Sequence, residues 1–470
     1  MNKSILAIDI GTTNITAIVA TNDFNNKINI LGVGNTKSEG VQKGNIIDIN
    51  LAGLSIKEAV SNAINSAGST THDVIVSLSG ANTRTLRSNG SINIPSGIIT
   101  KNEIKQVLKM ALYNAQIIPD YDVIHVLPIF FRVDDGSTIS NPLNMNGSRL
   151  EVSVNLITAK KTSLTNVKNA LKQANLEVDK FVLAGYANAI ATLEDDQKKL
   201  GSVVINLGGT TTQLVVYKGT TIIYNDFLPI GSEHITRDIS VMLHTPYSAA
   251  NMIKNKYASL LPIEENENEP NIRKVKLPIL GNEVESKEIS IDQIQPILHA
   301  RIEEILTTIN DKLIESSILE NIDGGVVLTG GMTYIPGVKE LANLVFKNIP
   351  VKVSNPKNIQ NGYIDFNNPT MTTIVGLLLY ELNNENSFEL DSNSELRRSD
   401  ELVNHSAKTV NNSSQNNNNN SFNDDNFNKQ DTKIPTISTP SEIKDLAIEK
   451  DKKQEPKKLS KFMSIISRWL

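Results

Sequence analysis

Apolar residues in this chain fall into short runs of strand length: ILAIDI at 5–10, ITAIVA at 15–20, DVIVSLSG at 73–80, EVSVNLITA at 151–159, SVVINLG at 202–208 and GGVVLTGG at 324–331. Between them lie segments with apolar residues at helical spacing, such as LAGLSIKEAVSNAINSAG at 51–68 and HARIEEILTTINDKLIESSI at 299–318, the second predicted as a core helix. This alternation predicts an α/β architecture as far as residue 382. Within it, residues 83–160 read as short strands (SINIPS, VIHVLPIFFRV, RLEVSVNLI) around one helix, KNEIKQVLKMALYNAQ. The opening MNKSILAIDIGTTNITAIVA is expected to be a hairpin rather than a signal peptide, because Asp9 interrupts the apolar run.

The pattern then changes. Residues 383–456 include NNSSQNNNNNSFNDDNFN and offer little apolar area to offset the entropy of ordering. A disordered tether is expected there, with a root-mean-square span on the order of 45 Å if it behaves as a Gly/Ser-like coil. The chain closes with KKLSKFMSIISRWL at 457–470. On a helix, Leu459, Phe462, Met463, Ile465, Ile466, Trp469 and Leu470 fall within roughly 160° of one another, and Lys461, Ser464, Ser467 and Arg468 face away. Lys458 lies at the boundary, and with Lys457, Lys461 and Arg468 it makes four basic residues without an acid. At 1.5 Å per residue such a helix is about 21 Å long, too short to cross a bilayer, and it is expected to lie in the interface of an anionic membrane.

Composition narrows the classes. With 470 residues and 39% hydrophobic content the chain can bury two cores. A net charge of -5 gives no whole-chain attraction to nucleic acid, and none is expected as a partner. There is no cysteine, which removes disulfides, thiolate metal sites and cysteine nucleophiles and suits the cytoplasm. The six histidines show no HExxH or paired spacing.

Candidate chemistry comes from a repeated design. Residues 5–18 and 203–216 both read strand, Gly/Thr turn, strand, which suggests two related halves. A Gly-Thr-Thr tip can turn backbone N–H groups and hydroxyls toward one point, a geometry suited to phosphate. Asp9 stands two residues before the first turn, where it could hold a cation through water. LTGGM at 328–332 follows a third buried strand. No GxxxxGK[ST] is present, and GVGNTKSEG starts like a dinucleotide fingerprint but has Lys37 in place of its third glycine.

AIDIGTT, INLGGTTTQLVVY and VLTGGMTYIPG resemble the two phosphate motifs and the adenosine motif of the actin, heat-shock-chaperone and sugar-kinase superfamily. The resemblance implies ATP between two lobes, with Asp9, Gly11, Thr12 and Thr13 on one hairpin and Asn206, Gly208, Gly209, Thr210 and Thr211 on the other. It places Gly330, Gly331 and Met332 under the adenosine, Gly231 and Lys254 near ribose and adenine, and Mg2+ near Asp9, held indirectly through water.

A finer resemblance is to the FtsA family of bacterial division proteins, carried by GVGNTKSEGVQKGNIIDI, VIVSLSG, VIHVLPIFFRVD, NPLNMNGSRLEVSVNLITA, LAGYANAIATL, IGSEHITRDISVML and MTTIVGLLLY, in that order. It implies subdomain 1A at 1–82, 161–198 and 369–382, an inserted subdomain 1C at 83–160, subdomain 2A at 199–244 and 321–368, and 2B at 245–320. It also implies self-assembly, FtsZ as partner through the second lobe, later division proteins through 1C, and a place at the cytoplasmic face of the membrane at the division site. Asn206 stands where aspartate is usual, Thr210 replaces a glycine, Gln213 stands where aspartate is frequent, and Tyr186 aligns where hydrolysing relatives carry Gln or Glu. ATP binding with at most weak hydrolysis is therefore expected, with no residue in a catalytic role. The alternatives are a PilM-like scaffold of the type IV pilus, which lacks the tether and terminal helix, and a sugar-kinase-like phosphotransferase.

Overall fold

Each of the two Gly/Thr hairpins opens a five-stranded mixed sheet in the computed structural model, which describes residues 4–22, 27–68, 73–261, 274–319, 322–359, 366–382 and 388–397. In the first lobe the order is Lys180–Leu183, Asp73–Leu78, Ser4–Ile10, Asn14–Asn22, Ile28–Lys37. In the second it is Val351–Val353, Val326–Thr329, Ser202–Leu207, Thr212–Lys218, Thr221–Leu228. Both sheets are an antiparallel three-strand meander extended by two parallel strands beside the opening strand. The relation suggested by two short hairpins thus extends over whole sheets.

The first crossover helix, Ile49–Ala67, shows how local chemistry sets the layers. Asp48 caps it by accepting from the N–H groups of Asn50 (2.9 Å) and Leu51 (3.0 Å), and Gly68, with φ of 65°, ends it. Its small residues Ala59 and Ala63 lie against Gly32 and Gly34 of the strand Ile28–Lys37, where any Cβ would collide with a helix carbonyl. The glycines of GVGN are therefore packing residues. In the second lobe the helix Gln295–Glu315 buries Leu298, Ile302, Ile305, Leu306, Ile309 and Leu313, the core role its periodicity predicts.

The inserted piece is a four-stranded sheet ordered Thr83–Asn93, Arg149–Lys160, Tyr121–Val133, Thr138–Ile139, with the helix Lys101–Tyr113 against it. Its first strand begins well before the SINIPS run, because only Gly90 along it is buried and its polar residues show no apolar alternation.

One expectation is corrected. The stretch 383–456 is not tether throughout: residues 388–397 pack on the body, with Phe388, Glu389, Leu390 and Asp391 buried. The apolar Phe388 and Leu390 frame an acidic residue that finds its partners inside the fold, a local arrangement that average composition conceals. Residues 398–456 and the amphipathic segment 457–470 lie outside the described residues. Among the described residues, no helix is long and apolar enough to cross a membrane.

The glycine contact makes a direct prediction. Gly34→Ala should lower stability by about 1–3 kcal/mol through overpacking, read as an earlier midpoint in denaturant unfolding. An unchanged midpoint would refute the close-approach role.

Candidate functional site

A cleft of about 640 Å³ lies between the two lobes, in the size range of a small-molecule site. Its walls gather Asp9, Gly11, Thr12 and Thr13 from the first hairpin and Asn206, Gly208, Gly209 and Thr211 from the second. Gly330, Gly331, Met332 and Lys254 also line it. The two remaining candidates lie just behind the wall. Thr210 bridges the lobes, its N–H donating to Thr12 Oγ1 (3.2 Å) and its hydroxyl accepting from Lys43 N–H (3.2 Å). Gly231 starts the helix Ser232–Met242, whose first N–H groups donate to the tip carbonyls: Ser232 to Gly208 (3.0 Å) and Glu233 to Gly209 (2.8 Å).

The two tips meet at backbone distance. A Cβ on Gly209 would collide with the Thr13 hydroxyl, so the second tip can lie on the first only without a side chain. Gly330 carries φ of 91° and leaves room for the Asn206 amide above it, which a Cβ would strike. These glycines bring backbone and hydroxyls to the groove, beside apolar residues such as Ile10, Met332 and Ile335.

Asp9 supplies the groove's buried acid. It accepts from Ser77 Oγ (2.7 Å), and that hydroxyl in turn accepts from Ile10 N–H (3.1 Å). Burial pushes the Asp9 carboxyl up to about 6, opposed by the Ser77 hydrogen bond. One edge of the side chain still faces the cleft, which tempers the cost of its charge. Across the cleft, Asn206 and Gln213 are direct partners on neighbouring strands. Gln213 Oε1 is buried without a hydrogen-bond partner among the described residues. Of these three side chains only Asp9 can carry charge.

Lys254 is not a solvated helix end. It is 8% exposed and donates from Nζ to the Ser232 carbonyl (3.2 Å), with Glu233 at 3.9 Å. Burial lowers its pKa, and Glu233 works in the opposite direction. Tyr186 is corrected more sharply: it is buried away from the cleft, its hydroxyl donating to Glu389 (2.8 Å), and its helix Ala184–Thr192 presents only Ala184 to the cleft. Sequence reasoning missed Ser77, Glu233 and Thr373 as cleft residues. Ser77 was within reach, because the parallel pairing of Ile8 with Val76 brings it level with Asp9.

Among the described residues, no group of three or more His, Cys, Asp or Glu is arranged to hold a metal on its own. The cleft nevertheless suits a phosphate-bound cation. Its features are the buried Asp9 carboxylate, the neighbouring Asn206 and Gln213 amides across from it, of which Gln213 has an unpartnered oxygen among the described residues, and glycine tips open to close approach.

Comparison with known proteins accords with this geometry. The family described as "Cell division protein FtsA" matches residues 203–376, and "SHS2 domain inserted in FTSA" matches residues 80–158. Among solved structures, the PilM-PilN type IV pilus biogenesis complex is similar with a TM-score of 0.55 at 15% identity, covering 80% of this chain and 97% of that one. MreB5 of Spiroplasma citri bound to ADP gives a TM-score of 0.50 at 14% identity, covering 81% and 96%. These likenesses show the actin-like fold with its inserted subdomain. Cell division protein FtsA of Helicobacter pylori strain 26695 is 32% identical over 421 residues, which span 84% of this chain and 85% of that protein, and the chain therefore belongs to the FtsA family of cell division proteins.

Proposed function

We propose that this protein binds ATP with Mg2+ in the inter-lobe cleft, assembles with copies of itself, and fastens FtsZ filaments to the cytoplasmic face of the cell membrane at the division site while recruiting later division proteins through its inserted subdomain. The observation that carries this reading is the meeting of the two hairpin tips beside Asp9. There the Thr12 and Thr13 hydroxyls lie against the Gly209–Thr210 backbone, and the cleft opens beside that contact. The backbone and hydroxyls of the two tips would hold the phosphates in the cleft beside them, and Asp9 with the Asn206 and Gln213 amides would hold the hydrated Mg2+. When bound, that ion balances phosphate charge. The chain's own residues orient the phosphates and close the lobes over them, a switch on assembly rather than a route to a product.

FtsZ would meet the second lobe. Val241 and Met242 are 59% and 66% exposed at the end of the helix Ser232–Met242, and Leu280, 62% exposed, is held beside them by its N–H bond to His244 (3.0 Å). Isolated exposed apolar residues are ordinary, but this group is contiguous, and flexible methionine suits a protein contact. The segment 457–470 would supply the membrane hold, with its apolar face in the acyl boundary and Lys457, Lys458, Lys461 and Arg468 at anionic headgroups. One such helix binds reversibly, and several in one assembly hold far more firmly.

Three outcomes are expected. First, the folded-state pKa of Asp9 lies above its unfolded value, so its ionised form opposes folding at neutral pH and this cost fades as pH falls from about 6 toward 4. Asp9→Asn should stabilise the nucleotide-free fold at pH 8 by about 1–3 kcal/mol and yet abolish Mg–ATP binding, whose affinity in the parent should rise with pH through about 6. Calorimetry and thermal unfolding read both effects, and an Asp9→Asn variant with undiminished affinity would sink the site. Second, the full chain, but not one ending at Pro456, should co-sediment with anionic vesicles, more so with ATP. If both stay in the supernatant, the anchor is lost. Third, Met242→Glu should weaken FtsZ binding at least tenfold and leave nucleotide affinity intact; equal binding would move the contact elsewhere.

A further inference from the structure

Residues 388–397 run along the junction of the inserted subdomain and the first lobe, where Ile124 and Leu127 also join the lobe's core and Leu183 N–H donates to His125 Nε2 (3.1 Å). Among the described residues of the inserted sheet, the strand Tyr121–Val133 has a strand neighbour on its outer side only at Phe131 and Arg132, where Thr138–Ile139 pairs with it. The free stretch is met by Leu390. Val126 N–H donates to the Leu390 carbonyl (3.0 Å), and Leu390 N–H returns the bond to Val126 (3.1 Å). Phe388 enters the same subdomain's core, edge-on to Phe131 with ring centroids 6.3 Å apart. The opposite side of the segment holds the first lobe. Ser392 Oγ accepts from Phe181 N–H (3.1 Å), Asn393 donates to the Asp179 carbonyl (2.7 Å), and Arg397 donates to the Tyr380 carbonyl (2.6 Å) while lying over the Tyr380 ring at 4.1 Å.

Glu389 sits where these surfaces converge, with no exposure. Tyr186 donates to one of its oxygens (2.8 Å) and Tyr380 to the other (2.6 Å), while His125 Nδ1 lies at 3.8 Å. His125 Nε2 accepts from Leu183 N–H (3.1 Å), so the proton of its ring is on the nitrogen that faces Glu389. The guanidinium partner, Arg397 at 3.5 Å, belongs to the segment itself. Burial opposes ionisation of Glu389, but Arg397, His125 and Tyr380 outweigh it and hold the carboxyl down to about 2.

The division of charge is informative. Around Glu389 the body contributes two phenols and an imidazole, and the formal charges of the Glu389–Arg397 pair both arrive on the segment, eight residues apart; farther along, Lys180 of the body, already paired with Glu381 (2.9 Å), also reaches Asp391 (3.7 Å). Had the counter-ion come from the body, release would strand a buried charge, a heavily destabilising event. With the pair carried on one side, departure leaves uncharged donors that water can satisfy. An extended peptide adding to a sheet edge, with one keyed side chain, is a recognised docking mode.

We propose that the junction of the inserted subdomain and the first lobe is a peptide-docking groove, that the chain's own residues 388–397 are its reversible occupant, and that docking keyed by Glu389 fixes the inserted subdomain on the lobe. None of this depends on what fills the cleft.

Hydrogen–deuterium exchange on the full chain tests it. Glu389→Ala and Leu390→Pro should each speed exchange at residues 123–127 and 388–397 at least tenfold and leave the helix Ile49–Ala67 at its parental rate, with Glu389→Gln intermediate. No change at residues 123–127, or an equal rise in that helix, would overturn the proposal by making Glu389 passive or merely a stability residue. A second variant avoids the core. Lys105 and Glu395 form a partly exposed ion pair at 2.5 Å across the junction, and the chain has no cysteine of its own, so Lys105→Cys/Glu395→Cys can be joined by a short bis-maleimide. The joined protein should exchange several-fold more slowly at residues 123–127 than the unjoined one. Identical rates would mean that the segment never leaves, and reversible docking would be overturned.

Discussion

The close approach of the two hairpin tips governs this structure. Thr210 donates across the cleft to Thr12, and Gly209 lies against Thr13 at a distance that no side chain could share. This contact brings the lobes into register and leaves between them a groove of backbone amides and hydroxyls. A bulky residue at either tip would wedge the lobes apart and remove the groove with the same stroke. Lobe geometry and candidate chemistry are therefore one constraint.

The two sheets share their connectivity but not their chemistry. Asp9 and Asn206 end corresponding opening strands, and only the first can be charged. A symmetrical pair of carboxylates would favour a tightly held cation and would repel one another across an empty groove. The acid-and-amide pair relaxes that repulsion and leaves the burial cost of Asp9 as the main electrostatic liability of the cleft. Lys254, tucked against the Ser232 carbonyl, places a buried cation at the other side of the groove.

Much of this was legible in the chain because the informative patterns are local. Alternating apolar runs marked the meanders, and the Gly/Thr turns marked the tips. Asp48 and Gly68 delimited a helix within a residue or two of its periodic run. The illegible parts depend on long-range pairing. The strand Thr83–Asn93 is polar along most of its length and exists because Arg149–Lys160 pairs with it. The resemblance aligns Tyr186 with the water-orienting residue of hydrolysing relatives, yet its hydroxyl turns to Glu389, 203 residues onward. Residues 388–397 look like tether by composition, because the groove that orders them is built from residues more than two hundred positions upstream, such as Val126 and His125. The glycines of GVGN are the converse case: a nucleotide-like spacing that the fold uses to bring a strand against a helix.

The helix Ser232–Met242 links two regions described separately. Its first amides are bonded to the carbonyls of Gly208 and Gly209, and its last residues, Val241 and Met242, stand exposed on the second lobe. Eleven residues of helix make a rod about 16 Å long, stiff along its axis. Such a rod would carry a displacement of the second tip along its axis toward the apolar end. The same linkage would hold in reverse, so that a load on Met242 would be a load on the Gly208–Gly209 turn.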